Sequence, residues 1–187
     1  MNRFIISAAE LCKACGACEV ACVQVHAAVG LQAYPRLHET KTSRGIVHIQ
    51  CRHCEDAPCT DVCPVAAISH GIDTIDLNES TCIGCKMCAL ACPFGAIAAY
   101  GSSPQSQQLP DAGHDKITLP PRSSLFEWFA GVRTVAIKCD LCYFRADGPK
   151  CVEVCPTRAL RVIDDETFAD AAGTKKRQSA ELMSQMP

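Results

Sequence analysis

The sequence predicts an α+β fold made of two small modules, one inserted within the other, and three observations lead to this prediction. The chain has 187 residues, enough for one compact domain or two small ones. Sixteen residues are cysteine, several-fold above ordinary usage. These cysteines fall into four groups, and a short β-rich run precedes each group. Four copies of one strand-and-loop unit indicate an internally duplicated protein.

Composition excludes several classes of protein. Lys and Arg total 18 and Asp and Glu total 20, so the net charge of -2 gives no basic excess for binding nucleic acid. The longest apolar stretch, Met87–Tyr100, is interrupted by Pro93 and Gly95. A membrane span needs about 20 apolar residues, so none is expected. No secretory segment is visible, and we expect a cytoplasmic protein, in which cysteines stay reduced and serve as metal ligands.

The four cysteine groups have related spacings. Groups one and three have the full C-x2-C-x2-C-x3-C spacing, whereas groups two and four keep the first C-x2-C and the last C-x3-C and lengthen the middle gap. Group one is Cys12, Cys15, Cys18 and Cys22; group two is Cys51, Cys54, Cys59 and Cys63; group three is Cys82, Cys85, Cys88 and Cys92; group four is Cys139, Cys142, Cys151 and Cys155. A proline follows the fourth cysteine in every group except group one, where Val23 follows Cys22.

This spacing is typical of 4Fe–4S ligation. Three thiolates two residues apart in a loop can converge on three corners of an iron–sulfur cube, and the fourth cysteine of the motif ligates the other cluster in two-cluster ferredoxins. Zinc also accepts C-x2-C pairs, but it does not need the third cysteine or the repeated C-x3-C-P. With no cysteine left over, the pattern predicts four 4Fe–4S clusters and disfavours a 3Fe–4S centre.

Strands are expected before each group, at Arg3–Ser7, Gly45–Gln50, Thr74–Leu77 and Arg133–Lys138. After the fourth cysteine, the segments CPVAAIS, CPFGAIA and CPTRALR read alike. Because proline suits the first position of a helix, each of these segments is expected to begin a short helix that leads toward a strand. Another helix is expected within Val20–Pro35.

The short stretch between Cys63 and Cys82 is the compact spacing of a two-cluster module, so groups two and three are paired, and groups one and four pair around them. The alternative, one with two and three with four, stays open. In each pair, the fourth cysteine of one group ligates the cluster held by the first three cysteines of the other group, so the first pairing predicts four sites. They are Cys51, Cys54, Cys59 with Cys92; Cys82, Cys85, Cys88 with Cys63; Cys12, Cys15, Cys18 with Cys155; and Cys139, Cys142, Cys151 with Cys22.

The predicted organisation follows from this pairing. The outer module takes residues 1–44 and 131–165, and the inner module takes 45–100. Residues 101–130, rich in Ser, Pro and Gln, form a surface insertion that ends in the aromatic segment LFEWFA at 125–130. Residues 166–187 form a polar C-terminal tail, mobile or bound to a partner and partly helical.

Few other side chains receive a role. His26 is interpreted as an ordinary surface residue, and His48 and His70 receive no function. His53, beside Cys54, either hydrogen-bonds a sulfur or is solvated. Lysines in or beside the cysteine loops, among them Lys138, can raise a cluster's reduction potential, but each alone is interpreted as a solubilising surface residue.

The residues point to electron transfer without catalysis. The sequence has no phosphate-binding loop, no dinucleotide fingerprint and no nucleophile–base pattern. Fully ligated clusters leave no open iron for a substrate, so one-electron chemistry remains. A row of four clusters would carry electrons across the molecule, between redox sites on other proteins.

The stretches HCEDAPC, LNESTCIGCKMC, CPFGAI and IKCDLC resemble the four-cluster ferredoxin-like subunits of molybdenum and tungsten oxidoreductases. The likeness covers about residues 1–165. It is strongest to the electron-transfer subunit of formate hydrogenlyase and to polyferredoxin subunits of tungsten aldehyde oxidoreductase. The resemblance implies pairing of groups one with four and two with three, a pterin-metal catalytic partner for formate or aldehyde oxidation, and an acceptor such as a hydrogenase or a flavin/NAD subunit. Copies that stack into an electron-conducting oligomer are also possible.

Two other functions stay open at this stage. A free polyferredoxin or a cluster-maturation protein would bind its targets transiently and pass clusters to an apo-protein. A zinc scaffold would contain about four zinc ions and no acid-labile sulfide.

A ligand variant tests the cluster assignment. Replacing Cys85 with Ala should cost one cluster and destabilise its module, because the loops have little apolar packing of their own. Iron analysis and thermal unfolding measure the two effects, and unchanged iron content and stability would contradict the assignment.

Overall fold

A computed structural model describes residues 1–102 and 134–186. The described chain is a mixture of short strands and helices, as the sequence predicts. The strands are β1 Phe4–Ser7, β2 Leu37–Thr42, β3 Gly45–Gln50, β4 Ile68–His70, β5 Ile75–Leu77, β6 Ala98–Ser102, β7 Thr134–Ile137 and β8 Leu160–Ile163. The helices are α1 Ala17–Ala27, α2 Pro58–Asp61, α3 Met87–Ala91, α4 Lys150–Glu153 and α5 Asp165–Ser184.

The strands form four antiparallel pairs, β1–β8, β2–β3, β4–β5 and β6–β7. In the first pair Ile5 lies opposite Val162, so the strand that leads into group one pairs with the strand that follows group four. Helix α1 packs against α4, and α2 packs against α3. The segments around groups one and four therefore lie together, as do those around groups two and three.

Within residues 1–102 and 134–186, buried apolar side chains form two cores, and cysteines are prominent in both. The outer core contains Ile5, Cys18, Cys22, Leu37, Cys51, Cys139, Leu141, Cys151 and Leu160. The inner core contains Ala57, Cys59, Ala67, Ile68, Ile75, Cys82, Cys88, Ile97, Val135 and Ala136. Cys51 of group two is in the outer core, so the two cores meet beside the group-two loop.

The short helices lie before the fourth cysteine of each proline-containing group, and the expectation that they follow it is wrong. Helix α3 ends at Ala91, and Cys92 is already extended, with φ -70° and ψ 113°. A residue before proline is driven out of the helical region by the proline ring. The Cys-Pro step therefore ends the helix, and a turn and a strand follow it.

In group one, where no proline follows the fourth cysteine, the helix does not end there. Val23 replaces the proline, and α1 continues through Cys22 to Ala27. The helix predicted within Val20–Pro35 thus begins earlier, at Ala17, and ends before Gly30. The four strands predicted ahead of the groups are observed, each within one residue at either end.

Two further elements differ from the sequence predictions. Hairpin partner β2 was not predicted, because its sequence LHETKT has only one apolar residue. The C-terminal segment is largely one exposed helix, α5, rather than a partly helical tail. It begins with a capping box, in which the Asp164 side chain accepts from the Thr167 N–H. The predicted insertion at 101–130, with LFEWFA, lies outside the described residues, apart from the end of β6.

The pairing of β1 with β8 predicts that Ile5 is a main contributor to stability. Ile5 is 1% exposed, and its replacement by Ala should lower the free energy of unfolding by about 2–5 kcal/mol through lost burial and a residual cavity. Ile72 is fully exposed, so Ile72→Ala should change it by less than about 0.5 kcal/mol. Urea unfolding of the anaerobic protein measures both, and equal effects would contradict this account of the outer core.

Candidate metal centre

The first Cys-x-x-Cys loop of all four groups has the same backbone signature. The residue before the second cysteine has a positive φ in each: Ala14 at 53°, His53 at 47°, Gly84 at 69° and Leu141 at 56°. A right-handed residue followed by a left-handed one turns successive N–H groups to the same side, which forms an anion-binding concavity. The N–H groups of His53 and Gly84 donate to the sulfurs of Cys51 and Cys82, each at 3.4 Å.

The repeated C-P-x-x-A segments have a second common turn. The third residue after the cysteine has a positive φ in each: Ala66, Gly95 and Arg158. The next N–H then donates back to the cysteine sulfur, from Ala67 to Cys63 at 3.2 Å, from Ala96 to Cys92 at 3.4 Å and from Ala159 to Cys155 at 3.2 Å. Although burial opposes it, this set of donors gives Cys63 and Cys155 a thiol pKa below the usual value.

In group one, the polar groups near the cysteine sulfurs come from other parts of the chain. The Arg36 N–H donates to Cys22 at 3.4 Å, replacing the turn that the helix excludes. His48, which received no role from the sequence, is buried with Nε2 3.3 Å from the Cys18 sulfur. Sequence spacing gave no sign of this contact, because it crosses from the helix of group one to the β2–β3 hairpin.

The structure brings sulfurs of different groups together in three combinations. Burial, with smaller contributions from the nearby sulfurs of Cys51 and Cys92, raises the pKa of the Cys59 thiol to about 11. The pKa of the Cys88 thiol is likewise raised to about 11, mainly by burial and to a smaller extent by the sulfurs of Cys82, Cys85 and Cys63. Burial also raises the pKa of Cys151, next to Cys22, Cys142 and Cys18. Cys155 of group four packs against the core that contains Cys18 of group one.

Exposure divides the cysteines. Only Cys15 of group one and Cys85 of group three are exposed among the sixteen, all of which are described. In groups two and four every cysteine is buried or half-buried. The loops of groups one and three therefore reach the surface, and those of groups two and four lie deeper.

His26 is buried in a charged network, and its interpretation as a surface residue is wrong. It is 1% exposed, and its Nε2 lies 3.0 Å from Asp140 Oδ1. Burial lowers the pKa of His26, but the hydrogen bonds to Asp140 and to the neighbouring thiols outweigh it and raise the pKa to about 11. Buried Arg36 pairs with Glu79 at 2.7 Å and approaches Asp140 at 3.8 Å. This network ties α1 and group four to the turn that precedes group three.

Two more polar side chains are buried against expectation. Lys138 is 1% exposed and donates from Nζ to the carbonyls of Ile75 and Cys139, so it is not a solubilising surface residue. His53 is 1% exposed, so it is not solvated. Burial and the Lys138 charge lower the pKa of His53 to about 3, which leaves the ring neutral. The sequence could not show this burial, because Ile75 and His53 come from distant segments.

The residues present fit iron–sulfur clusters. His53 Nδ1 accepts from the Ile75 N–H at 2.9 Å, so the neutral ring carries its proton on Nε2. The buried Nε2 of His53 has no hydrogen-bond partner among the described residues. His53 lies between Cys51 and Cys54 in the sequence, so this N–H is available as a donor beside the group-two cysteines. Soft thiolate ligands select iron–sulfur clusters, zinc or copper(I). Backbone and ring N–H donors around the sulfurs are the means by which proteins stabilise an anionic cluster.

Across residues 1–102 and 134–186 no helix combines the length and the apolar character needed to cross a bilayer.

The model for the 4Fe-4S binding domain family matches residues 75–98, which contain β5, group three and the first residue of β6. The cysteine loops and this match together define a 4Fe–4S ferredoxin-type protein.

Relatives extend the likeness over nearly the whole chain. Hydrogenase-4 component A of Escherichia coli (strain K12) is 46% identical, covering 96% of this chain and 91% of that protein. Formate hydrogenlyase subunit 2 of the same strain is 43% identical, covering 94% and 89%. Electron transport protein HydN, also from that strain, is 37% identical, covering 96% and 98%. The chain belongs to this family of iron–sulfur electron-transfer subunits.

The geometry of group three gives a sharp test at Gly84. A Cβ built there would lie 1.9 Å from the Thr134 carbonyl oxygen, whereas one at Gly16 meets nothing within 4 Å, and both glycines have a φ near 68°. Because the two backbones carry the same left-handed cost, Gly84→Ala should lower the free energy of unfolding by about 1–3 kcal/mol more than Gly16→Ala.

Urea unfolding followed by visible absorbance of the anaerobic protein measures this difference. Equal midpoints for the two variants would show that β7 does not approach the group-three loop as closely as described.

Proposed function

We propose that this chain carries four 4Fe–4S clusters and relays electrons between a pterin-metal catalytic subunit and an acceptor subunit, with no substrate site of its own. The observation that carries the proposal is the left-handed residue before the second cysteine in all four Cys-x-x-Cys loops, together with backbone N–H groups that donate to a cysteine sulfur in the loops of groups two and three. Four loops of this kind and sixteen cysteines support four anionic clusters with four thiolate ligands each.

The proposed ligand sets are those of the exchanged pattern. Three of them rest on thiols that lie near one another: Cys59, Cys51 and Cys92; Cys88, Cys82, Cys85 and Cys63; and Cys151, Cys142 and Cys22. Cys18, which belongs to the fourth set, also lies near Cys151. The fourth set, Cys12, Cys15 and Cys18 with Cys155, rests on the family pattern and on the shared outer core. Packing of α1 on α4 and of α2 on α3 supports an inner module, 45–100, within an outer one, 1–44 and 131–165.

Exposure supports an order for the relay. The sites of groups one and three hold the exposed cysteines, Cys15 and Cys85, and would exchange electrons with partners. The sites of groups two and four are deeper and meet where Cys51 packs with Cys139 in the outer core. The path then runs from group three through groups two and four to group one, or the reverse. When bound, the clusters supply one-electron transfer, and the chain supplies spacing, donors and burial.

The partners are proposed from the relatives and from the family resemblance. Two relatives are named as a hydrogenase-4 component and a formate hydrogenlyase subunit, which favours a hydrogenase-type acceptor and formate as the substrate of the catalytic partner. The molybdenum or tungsten pterin subunit, the flavin/NAD alternative and the cytoplasmic location stay predictions.

Anaerobic purification of the native protein tests the proposal. We expect about sixteen iron and sixteen acid-labile sulfide atoms per chain, a reducible 4Fe–4S signal by electron paramagnetic resonance, and a pterin-metal subunit in the same complex. About four zinc ions without sulfide would establish a zinc scaffold instead. A fully loaded chain found alone, able to pass clusters to an apo-protein, would favour the free polyferredoxin or maturation function.

A further inference from the structure

Lys138 is a buried cation without an acidic partner. It is 1% exposed and is among the largest fully buried side chains of the described residues. Its Nζ donates to two backbone carbonyls, of Ile75 in the inner core and of Cys139 in the outer core. Among the described residues no carboxylate lies within ion-pair distance of Nζ, whereas buried Arg36 has Glu79 at 2.7 Å.

An isolated buried ammonium is expensive. Removing such an ion from water costs several kcal/mol even after the protein relaxes, and two carbonyl dipoles offset only part of it. Proteins retain a buried charge where an opposite charge compensates it. Since the described side chains provide no carboxylate at Nζ, the compensating charge has to come from another source close to Lys138.

Lys138 lies between the loops of groups two and four. It directly precedes Cys139, the first cysteine of group four. The residue that accepts from its Nζ, Ile75, donates its own N–H to His53, which lies between Cys51 and Cys54 of group two. The charge acts on sulfurs of both groups, because it lowers the pKa values of Cys59 and Cys139 against the larger effect of burial.

We propose that the ammonium of Lys138 is the counter-charge of the two deep clusters, those of groups two and four, and that it raises their reduction potentials above the values they would otherwise have. The inference rests on the proposed function. A 4Fe–4S site with four thiolates carries about -2 when oxidised and about -3 when reduced, so a fixed positive charge favours the reduced state. The effect is strong here because the interior screens charge less than water does.

Exposed lysines in the other loops provide matched controls. Lys13 in group one and Lys86 in group three also lie next to ligand cysteines, but both are exposed. Water and salt screen an exposed charge, so removing either should change the potentials little. The comparison therefore separates a buried charge from a lysine that merely belongs to a cysteine loop.

The experiment is a redox titration of the anaerobic, fully loaded chain, monitored by electron paramagnetic resonance, for wild type, Lys138→Met, Lys13→Met and Lys86→Met. In Lys138→Met, two of the four cluster signals should shift to lower potential by at least 59 mV, equal to a tenfold loss in the reduced-to-oxidised ratio at fixed potential. The other two signals, and all four signals in both control variants, should shift by clearly less.

Lys138→Gln keeps a hydrogen-bond donor while removing the charge, so it should reproduce the shift. Wild-type potentials in a loaded Gln or Met variant, or equal shifts in all four signals, would overturn the proposal. Failure of both variants to hold clusters would assign Lys138 to folding and also overturn it. Wild-type protein without four 4Fe–4S clusters would be a failure of the proposed function, recognised before any variant is measured.

Discussion

The convergence of sulfurs within short loops is the constraint on which the rest of the structure depends. Seven non-glycine residues of the described chain have positive φ, and all lie inside a cysteine group or within three residues of its last cysteine. Each such residue costs roughly 1–2 kcal/mol relative to a right-handed backbone. Strain so confined persists only where something compensates it. Metal–thiolate bonds form with the fold and supply free energy of that order and more, so strain and ligation are expected to occur together.

The same constraint explains why cysteines belong to the cores. The strands are three to six residues long and pair only two by two, so they bury little apolar surface by themselves. The apolar clusters are completed by cysteines such as Cys18 in the outer core and Cys88 in the inner core. In the proposed function, the clusters therefore act as the centres around which the two cores pack.

The sequence predicted what local spacing and alternation determine. The strands before the four groups are predicted and present, because each contains β-branched and apolar residues and lies within five residues of the first cysteine of its group. The predicted position of the short helices is wrong, because the proline that suits the first position of a helix also forces the residue before it, Cys92 in group three, out of the helical region. The pairing of β1 with β8 depends on contacts across about 160 residues, which the sequence suggests only indirectly, through the compact spacing of groups two and three and the family resemblance.

The buried polar residues could not be predicted, because their surroundings come from distant parts of the chain. His26 meets Asp140 across 114 positions, and Lys138 meets Ile75 across 63. Burial of these two cations has different electrostatic consequences. His26 and Arg36 have carboxylates close by, so their network is nearly neutral and its field falls off over a short distance. Lys138 has carbonyl dipoles only, so its field extends to the sulfurs on either side of it. Two cations equally hidden from water can therefore differ in role, since a paired one fixes the packing of neighbouring elements and an unpaired one sets the potential of the anionic groups around it.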